Sequence, residues 1–325
     1  TKEGTVYDVI IFIVSAGPNV IKENIAETVY SISKNIGDDV KYGFYIVTDN
    51  KTQEKFVKDT LFSHPRLANV VKSDTLLELV FSRSSWAEEY NKFFDKYQND
   101  TKYILFSHDD LTINTPNFYN KTIQELQNKE EPVGWISFTN DRYYRYDQRP
   151  LSNSFKDPFA IDRHNDPRIY ECHVFKEGET VTPEKLKLLD FPDGPVKLHA
   201  PFPHLCLIST DAMKKVGPCA EWTAYTILID NDWGLEALRQ NLFNVWIPDI
   251  IYTHPNPKYC HLRKPGTDLR YELTAHNKFY EKWGFRLPFR EQLTDDDIEI
   301  VREKYKGTNI PLSSYRNTYD WDYLK

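Results

Sequence analysis

"TKYILFSHDD", residues 101–110, decides how the rest of the chain is read. Ile104, Leu105, Phe106 and Ser107 form a run suited to a strand buried on both faces. His108, Asp109 and Asp110 then arrive together, with Leu111 and Ile113 behind them. A strand that dry ends where two adjacent acids begin. Neighbouring carboxylates repel each other, so they persist where solvent or a divalent cation accommodates them. Hard ions such as Mg²⁺ and Mn²⁺ take carboxylate oxygens and keep places open for phosphate. Asp109-Asp110 therefore reads as half of a metal–diphosphate site. The bland reading of the same pair is a solvated turn with an Asx cap.

The residues before this stretch repeat one pattern. "YDVIIFIV", residues 7–14, is a continuous apolar run that stops at the turn signal Ser15-Ala16-Gly17-Pro18. Residues 19–35 carry Ile21, Ile25, Val29 and Ile32 on one helical face. "VKYGFYIVTDN", residues 40–50, is a second strand closing on Asp49 and Asn50. Residues 52–63 read as a helix and "NVVKSD", residues 69–74, as a short third strand. "WAEEYNKFFDKY", residues 86–97, spaces Trp86, Tyr90, Phe93, Phe94 and Tyr97 as one helical face. Strands alternating with helices predict an α/β domain with a mostly parallel sheet. Ligands of such sheets bind beyond the carboxyl ends of the strands. Ser15, Asp49, Asp109 and Asp110 all fall at such ends.

The second half is less regular. Residues 117–128 read as a helix and "PVGWISFT" as a strand. Residues 140–200, rich in Tyr, Arg, Asp and Pro, show no clean period and suit a lid over a ligand. Within and beyond that stretch Tyr143, Tyr144, Tyr146, Trp222 and Tyr225 suit sugar stacking or ordinary core packing. "HLCLIST" is a strand, "DAMKKVG" a short helix, and "DNDWGLEALRQN" a helix that opens on Asp230 and Asp232. An Asp there also serves as an N-cap. "FNVWIPDIIYTHP" reads as a strand pair ending at His254-Pro255, where a histidine is either a ligand or a surface residue.

Composition removes several classes. The 325 residues are 40% hydrophobic and 14% aromatic, enough for a sizeable core. A net charge of -7 argues against a general nucleic-acid surface. The four cysteines, Cys172, Cys206, Cys219 and Cys260, include no CxxC pair, which argues against a disulfide framework or a zinc finger. Cys172-His173 and Cys260-His261 are adjacent in sequence, and adjacent side chains rarely point at one ion. No 18-residue apolar run predicts a transmembrane helix. The first strand lacks a cationic leader, so the expected location is cytoplasmic, with peripheral membrane association left open.

Taken in order, Ser15, Asp49, Asn91, Asp109-Asp110, Asp230-x-Asp232 and His254 resemble the pattern of a GT-A fold glycosyltransferase of the family-2 type. The likeness runs over about residues 7–255. Asn91 precedes Asp109 by 18 residues, and "SHDDLTI" is similar to a DxD variant with His in the first place. "PHLCLISTDAMKKVGPCAEW" resembles the segment before the family's catalytic acid. The resemblance implies a Rossmann-like, mostly parallel central sheet flanked by helices. It implies a domain over 1–258, with a donor half to about 115, an acceptor half from about 116 and an irregular insertion at 140–200. Residues 259–325 would be a C-terminal extension packed on that core. It implies a UDP-, GDP- or dTDP-sugar donor, Mn²⁺ or Mg²⁺, and a glycan or other hydroxyl acceptor, with no nucleic-acid partner.

The roles it implies follow residue by residue. Asp110, assisted by Asp109, would hold the metal against the donor diphosphate, and His254 would be a further metal ligand or a diphosphate contact. Ser15, Asp49, Asn91, His108 and Asp109 line the donor pocket. Arg83 and Lys102 are the cations nominated for the phosphates, because the family's usual Gly-rich or Arg-rich donor loop is missing. Asp230 is the general base of an inverting transfer, with Asp232 as the alternative, and Glu236 and Arg239 follow on the same helix. Two rivals stay open. A sugar-nucleotide-processing or nucleotidyl-transfer enzyme would want the Gly-rich loop that "SAGPN" only faintly supplies. A non-catalytic carbohydrate-binding protein would keep the aromatics and tolerate loss of Asp230.

Overall fold

Successive side chains of an extended strand point to opposite faces, and the first strand, β1 (Tyr7–Ser15), uses both. Val9, Ile11 and Ile13 enter one apolar cluster, while Tyr7, Ile10 and Phe12 enter another on the far side. The computed structural model of the chain describes residues 6–15, 24–48, 65–67, 75–82, 86–127, 129–140, 196–198, 201, 204–220 and 229–254, together with Lys278 and Lys282. Within them the further strands are β2 (Tyr42–Thr48), β3 (Leu76–Phe81), β4 (Thr101–His108), β5 (Thr112–Ile113), β6 (Val133–Asn140), β7 (Val196–Leu198), β8 (Leu205–Ser209) and β9 (Phe243–Thr253). The helices are α1 (Asn24–Asn35), α2 (Trp86–Tyr97), α3 (Phe118–Gln127), α4 (Thr210–Val216) and α5 (Ile229–Arg239).

These strands make one sheet in the order β3-β2-β1-β4-β8-β6-β9-β5, with β7 beside β9. The first four are mutually parallel. β8 then runs antiparallel to both β4 and β6, and β6 is parallel to β9. The sheet is therefore mixed: β1–β4, β6 and β9 run the same way, as the expectation of a mostly parallel sheet has it, and β8 runs against them. Reversal of β8 has a direct consequence: its amino end lies at the edge where β4 and β9 have their carboxyl ends. The expected strand pair in "FNVWIPDIIYTHP" is one strand of 11 residues with a bulge. Phe138 pairs with Ile247 but Thr139 pairs with Ile251, and Pro248, which has no N–H to donate, sits in the skipped stretch. The strand beside β2 is residues 76–81. The third strand expected at 69–74, the helix expected at 52–63 and residues 141–195 lie outside the described residues.

Helices cover both faces. Ile25, Ala26, Val29 and Ile32 of α1 and Phe118 and Tyr119 of α3 pack on one side. Tyr90, Phe93 and Tyr97 of α2, Met213 of α4 and Trp233 of α5 pack on the other. The aromatic face foreseen on residues 86–97 is thus core, with Phe93 5.0 Å from both Phe12 and Tyr45 between ring centroids.

The polar residues of α1 are as informative as its apolar ones. Thr28 Oγ1 donates to the carbonyl of Leu111 at 2.8 Å and accepts from the Leu111 N–H at 3.0 Å. Ser31 Oγ accepts from the N–H of Ile113, and Asn35 Nδ2 donates to its carbonyl at 2.8 Å. A helix face here stands in for a neighbouring strand. On its other side, β5 pairs with the last residues of β9, Thr112 with Thr253 and Ile113 with Tyr252. The chain leaving β4 is thereby clamped two residues after Asp110, and the end of β9 is drawn back towards β4.

Replacing Thr28 by Val keeps the shape but strips both bonds from a buried backbone unit. The expected loss is about 1–3 kcal/mol, read as a lower urea midpoint at unchanged slope. An unchanged midpoint would show that this clamp contributes nothing.

Candidate active site

Three histidines meet at the carboxyl edge. His108 ends β4, and its backbone N–H donates to the carbonyl of His204 at 2.9 Å, extending the β4–β8 pairing by one step. His254 follows β9. Nδ1 of His108 lies 3.3 Å from Nε2 of His254, although the two residues are 146 apart in sequence. The rings of His204 and His254 stack at 3.9 Å and 12°. The His108 and His204 ring centroids are 4.4 Å apart. One nitrogen from each of the three lies within 4.8 Å of the others. His204 and His254 are 7% and 2% exposed, so these are not surface histidines.

Asp110 joins them. Its Oδ1 lies 3.0 Å from Nε2 of His254. That oxygen is buried and has no hydrogen-bond donor aligned on it among the described residues. Burial raises the Asp110 carboxyl. The hydrogen-bonding reach and charge of His254, then the charge of His108, outweigh it and hold the group below the usual carboxylate range. A carboxylate held ionised beside imidazole nitrogens is a donor set that a cation fits. Asp110, His254, His108 and His204 are the residues that could hold one. Asp109 is half-buried in the same turn.

Face parity links this cluster to the acids of α5. Phe106 and Ile104 on β4, and Cys206 and Ile208 on β8, face the cluster that contains α5. His108 and His204 share that parity. Several contacts pin α5 against this face. Trp233 stacks on Trp135 at 4.5 Å and meets Phe106 at 5.0 Å. Asn244 accepts from the N–H of Trp135 and donates to the carbonyl of Gly234. A Cβ at Gly134 would stand 3.0 Å from that of Ala237, so the helix approaches the sheet closely because a glycine lets it. Asp230 and Asp232 occupy the first turn of α5, where the helix dipole favours negative charge, and they are 1% and 2% exposed. The Cys206 thiol is pushed well up by burial and then by the charge of Asp230.

Asp232 has a different environment. Lys282 Nζ lies 2.8 Å from Asp232 Oδ1 and 2.7 Å from Glu236 Oε1, while Arg239 pairs with Glu236 at 2.6 Å. The acids at 232 and 236 thus form a salt-bridged face with a residue of the C-terminal segment.

The remaining sequence candidates divide as follows. Val14 pairs with His108 and Ser15 follows it, so Ser15 stands at the same edge one strand away. Ser15 pairs with Thr48, whose next residue is Asp49, but Asp49 and Arg83 lie outside the described residues. Asn91 is engaged elsewhere: its amide donates to the carbonyl of Cys219 at 3.0 Å and accepts from the Cys219 N–H at 2.8 Å. This clasp ties α2 to the turn after α4, which closes at Gly217 with φ +88°. Lys102 does not serve the site. It lies at the amino end of β4, paired with Asp8 at 2.8 Å, about 20 Å along the strand from His108. Tyr143, Tyr144, Tyr146, Trp222 and Tyr225 are outside the described residues. His204 was missed by sequence reasoning. The signal would have been the antiparallel sense of β8, which no local pattern carries.

No family model and no curated protein sequence matches this chain. Solved structures do. One is a crystal structure of GalNAc-T7 with UDP, GalNAc and Mn²⁺, at TM-score 0.54 and 12% identity, covering 86% of this chain and 50% of that one. Another is the mannosyltransferase PcManGT from Pyrobaculum calidifontis in complex with GDP-Man and Mn²⁺, at TM-score 0.51 and 11% identity, covering 96% of this chain and 73% of that one. The fold is that of the GT-A glycosyltransferases. The chain spans about half the length of the GalNAc-T7 structure. The GT-A likeness accounts for the mixed sheet flanked by helices. No described helix is long and apolar enough to cross a membrane.

Lys282→Met removes the cation shared by two buried acids. Lys282 is partly exposed, so the expected cost is below that of breaking a fully buried pair, about 2–3 kcal/mol. Urea or thermal unfolding reads it, and a variant as stable as the parent would show the ion pairs to be incidental.

Proposed function

We propose that the chain is a sugar-nucleotide-dependent glycosyltransferase that needs a divalent cation and inverts the anomeric carbon. The observation that carries this reading is the meeting of Asp110 and His254 at the carboxyl edge, on a GT-A fold, with Asp230 buried in the first turn of α5. The solved structures of this fold that hold Mn²⁺ also hold UDP with GalNAc or GDP-Man, which supports the donor class.

In this mechanism Asp110 and His254 hold the cation, with His108 and Asp109 beside them. When bound, the cation neutralises charge that builds on the departing diphosphate. Ser15 and Asp49 bind the nucleoside end of the donor. Asp230 accepts the proton of the acceptor hydroxyl as that oxygen attacks the anomeric carbon from the side opposite the diphosphate. A base for an alcohol has to be ionised and within hydrogen-bond reach of it. Asp230 suits this better than Asp232, because Lys282 already occupies Asp232 Oδ1. The acceptor is a glycan or another hydroxyl compound, and residues 259–325 form an extension on the 1–258 domain.

The test is turnover of UDP-, GDP- and dTDP-sugars with Mn²⁺, with and without chelator. Asp110→Ala is expected to abolish cation-dependent turnover. Asp230→Asn is expected to lower transfer by roughly 10²–10⁴-fold while the donor still raises the melting temperature. Full transfer by the Asp230→Asn protein would remove the base assignment. Stabilisation by a glycan alone, with no turnover of any donor, would favour a binding protein.

A further inference from the structure

We propose that Lys282, from the C-terminal segment, is a positioning residue for the base: by bridging Asp232 and Glu236 it sets the rotation of α5 about its own axis and so the place of Asp230. The positioning role rests on the transferase reading above; the anchoring of α5 does not.

The bridge joins distant parts of the chain. Asp232 and Glu236 stand four positions apart on α5, so their side chains share one stripe of the helix. Two carboxylates so placed repel each other. Lys282 Nζ lies 2.8 Å from Asp232 Oδ1 and 2.7 Å from Glu236 Oε1. An ammonium carries three donors, enough to serve both acids at once. The two carboxylate side chains are 3% and 8% exposed, so solvent screens these pairs weakly. Arg239 also meets Glu236, at 2.6 Å. That pair joins two positions of one helix, whereas Lys282 ties the helix to another part of the chain.

The direction of the tie gives it a consequence. Ile229, Trp233 and Ala237 face the sheet, and Asn244 holds the carbonyl of Gly234. The stripe of Asp232 and Glu236 is offset from that of Trp233 and Ala237 by about 100°. Contacts along one stripe keep a helix close to its sheet but resist roll about the axis weakly. A second grip on another stripe opposes roll. Any roll of α5 carries Asp230 with it, because that residue sits in the same helical turn as Asp232. At about 6 Å from the axis, a roll of about 10° displaces a side chain by about 1 Å. A shift of that size in a reacting group lowers the rate by about 10²-fold.

Hydrogen exchange of the full chain, without donor or cation, reads the anchoring. Lys282→Met is expected to speed exchange of the α5 amides at least about ten-fold while α1 and α2 keep parent rates. Lys282→Arg and Arg239→Met are expected to exchange like the parent. Should Lys282→Met misfold, Lys282→Gln carries the same comparison. Steady-state transfer reads the positioning. Lys282→Met is expected to lower kcat about 10- to 100-fold at unchanged donor KM, and Lys282→Arg to restore it. Parent-like α5 exchange in a folded Lys282→Met or Lys282→Gln protein would overturn the anchoring. Parent-like kcat, or an equal loss of kcat in Arg239→Met, would overturn the positioning role. A parent chain that transfers no sugar removes the transferase reading and the base with it, while the exchange result still decides the anchoring.

Discussion

The centre depends on a few buried hydrogen bonds between a helix and an irregular strand. Thr28, Ser31 and Asn35 of α1 satisfy the backbone of Leu111 and Ile113 as a neighbouring strand would. Unmatched, those backbone groups would each cost about 1–3 kcal/mol in the interior. Their satisfaction lets the chain leave the sheet at Asp109-Asp110 and still remain ordered. The same short strand holds the end of β9, reinforced by Asn114 bonded to Thr253 and by Thr115 bonded to the N–H of Ile251. Two distant strand ends are thus stapled together, and the acids and histidines they carry share one small volume.

A second constraint sets the opposite wall. α5 is held by an aromatic stack, a glycine that admits close approach, and Asn244 spanning helix and sheet. These contacts fix the helix against β6 and β9. Asp230 and Asp232 then differ by their position on the helix: the charge of one is felt at the Cys206 thiol, and the other meets Lys282. Two adjoining acids acquire different surroundings from a rotation of about 200° around the helix axis.

Much of this was legible in the sequence. Continuous apolar runs at residues 7–14 and 104–107 gave buried strands, because both faces of those strands are covered by helices. The polar ends at Ser15, Asp109-Asp110 and His254 fall at one edge, since parallel strands end together. What failed was long-range. "HLCLIST" gives no hint of its direction, and a strand taken as parallel puts His204 at the wrong edge. Asn91 had the expected spacing but spends its amide on Cys219, a contact 128 residues away. Lys102 looked close to the acids only because six residues of sequence conceal the full length of a strand.

The central claim is that the fold brings Asp110 and His254 together at one sheet edge to hold a cation. An anomalous difference map from crystals soaked with Co²⁺ and UDP tests it most directly. The account predicts a single strong peak beside the Asp110 carboxylate and the His254 imidazole, with diphosphate oxygens completing the shell. A peak elsewhere, or a nucleotide bound at this edge with no ion between it and Asp110, would contradict it.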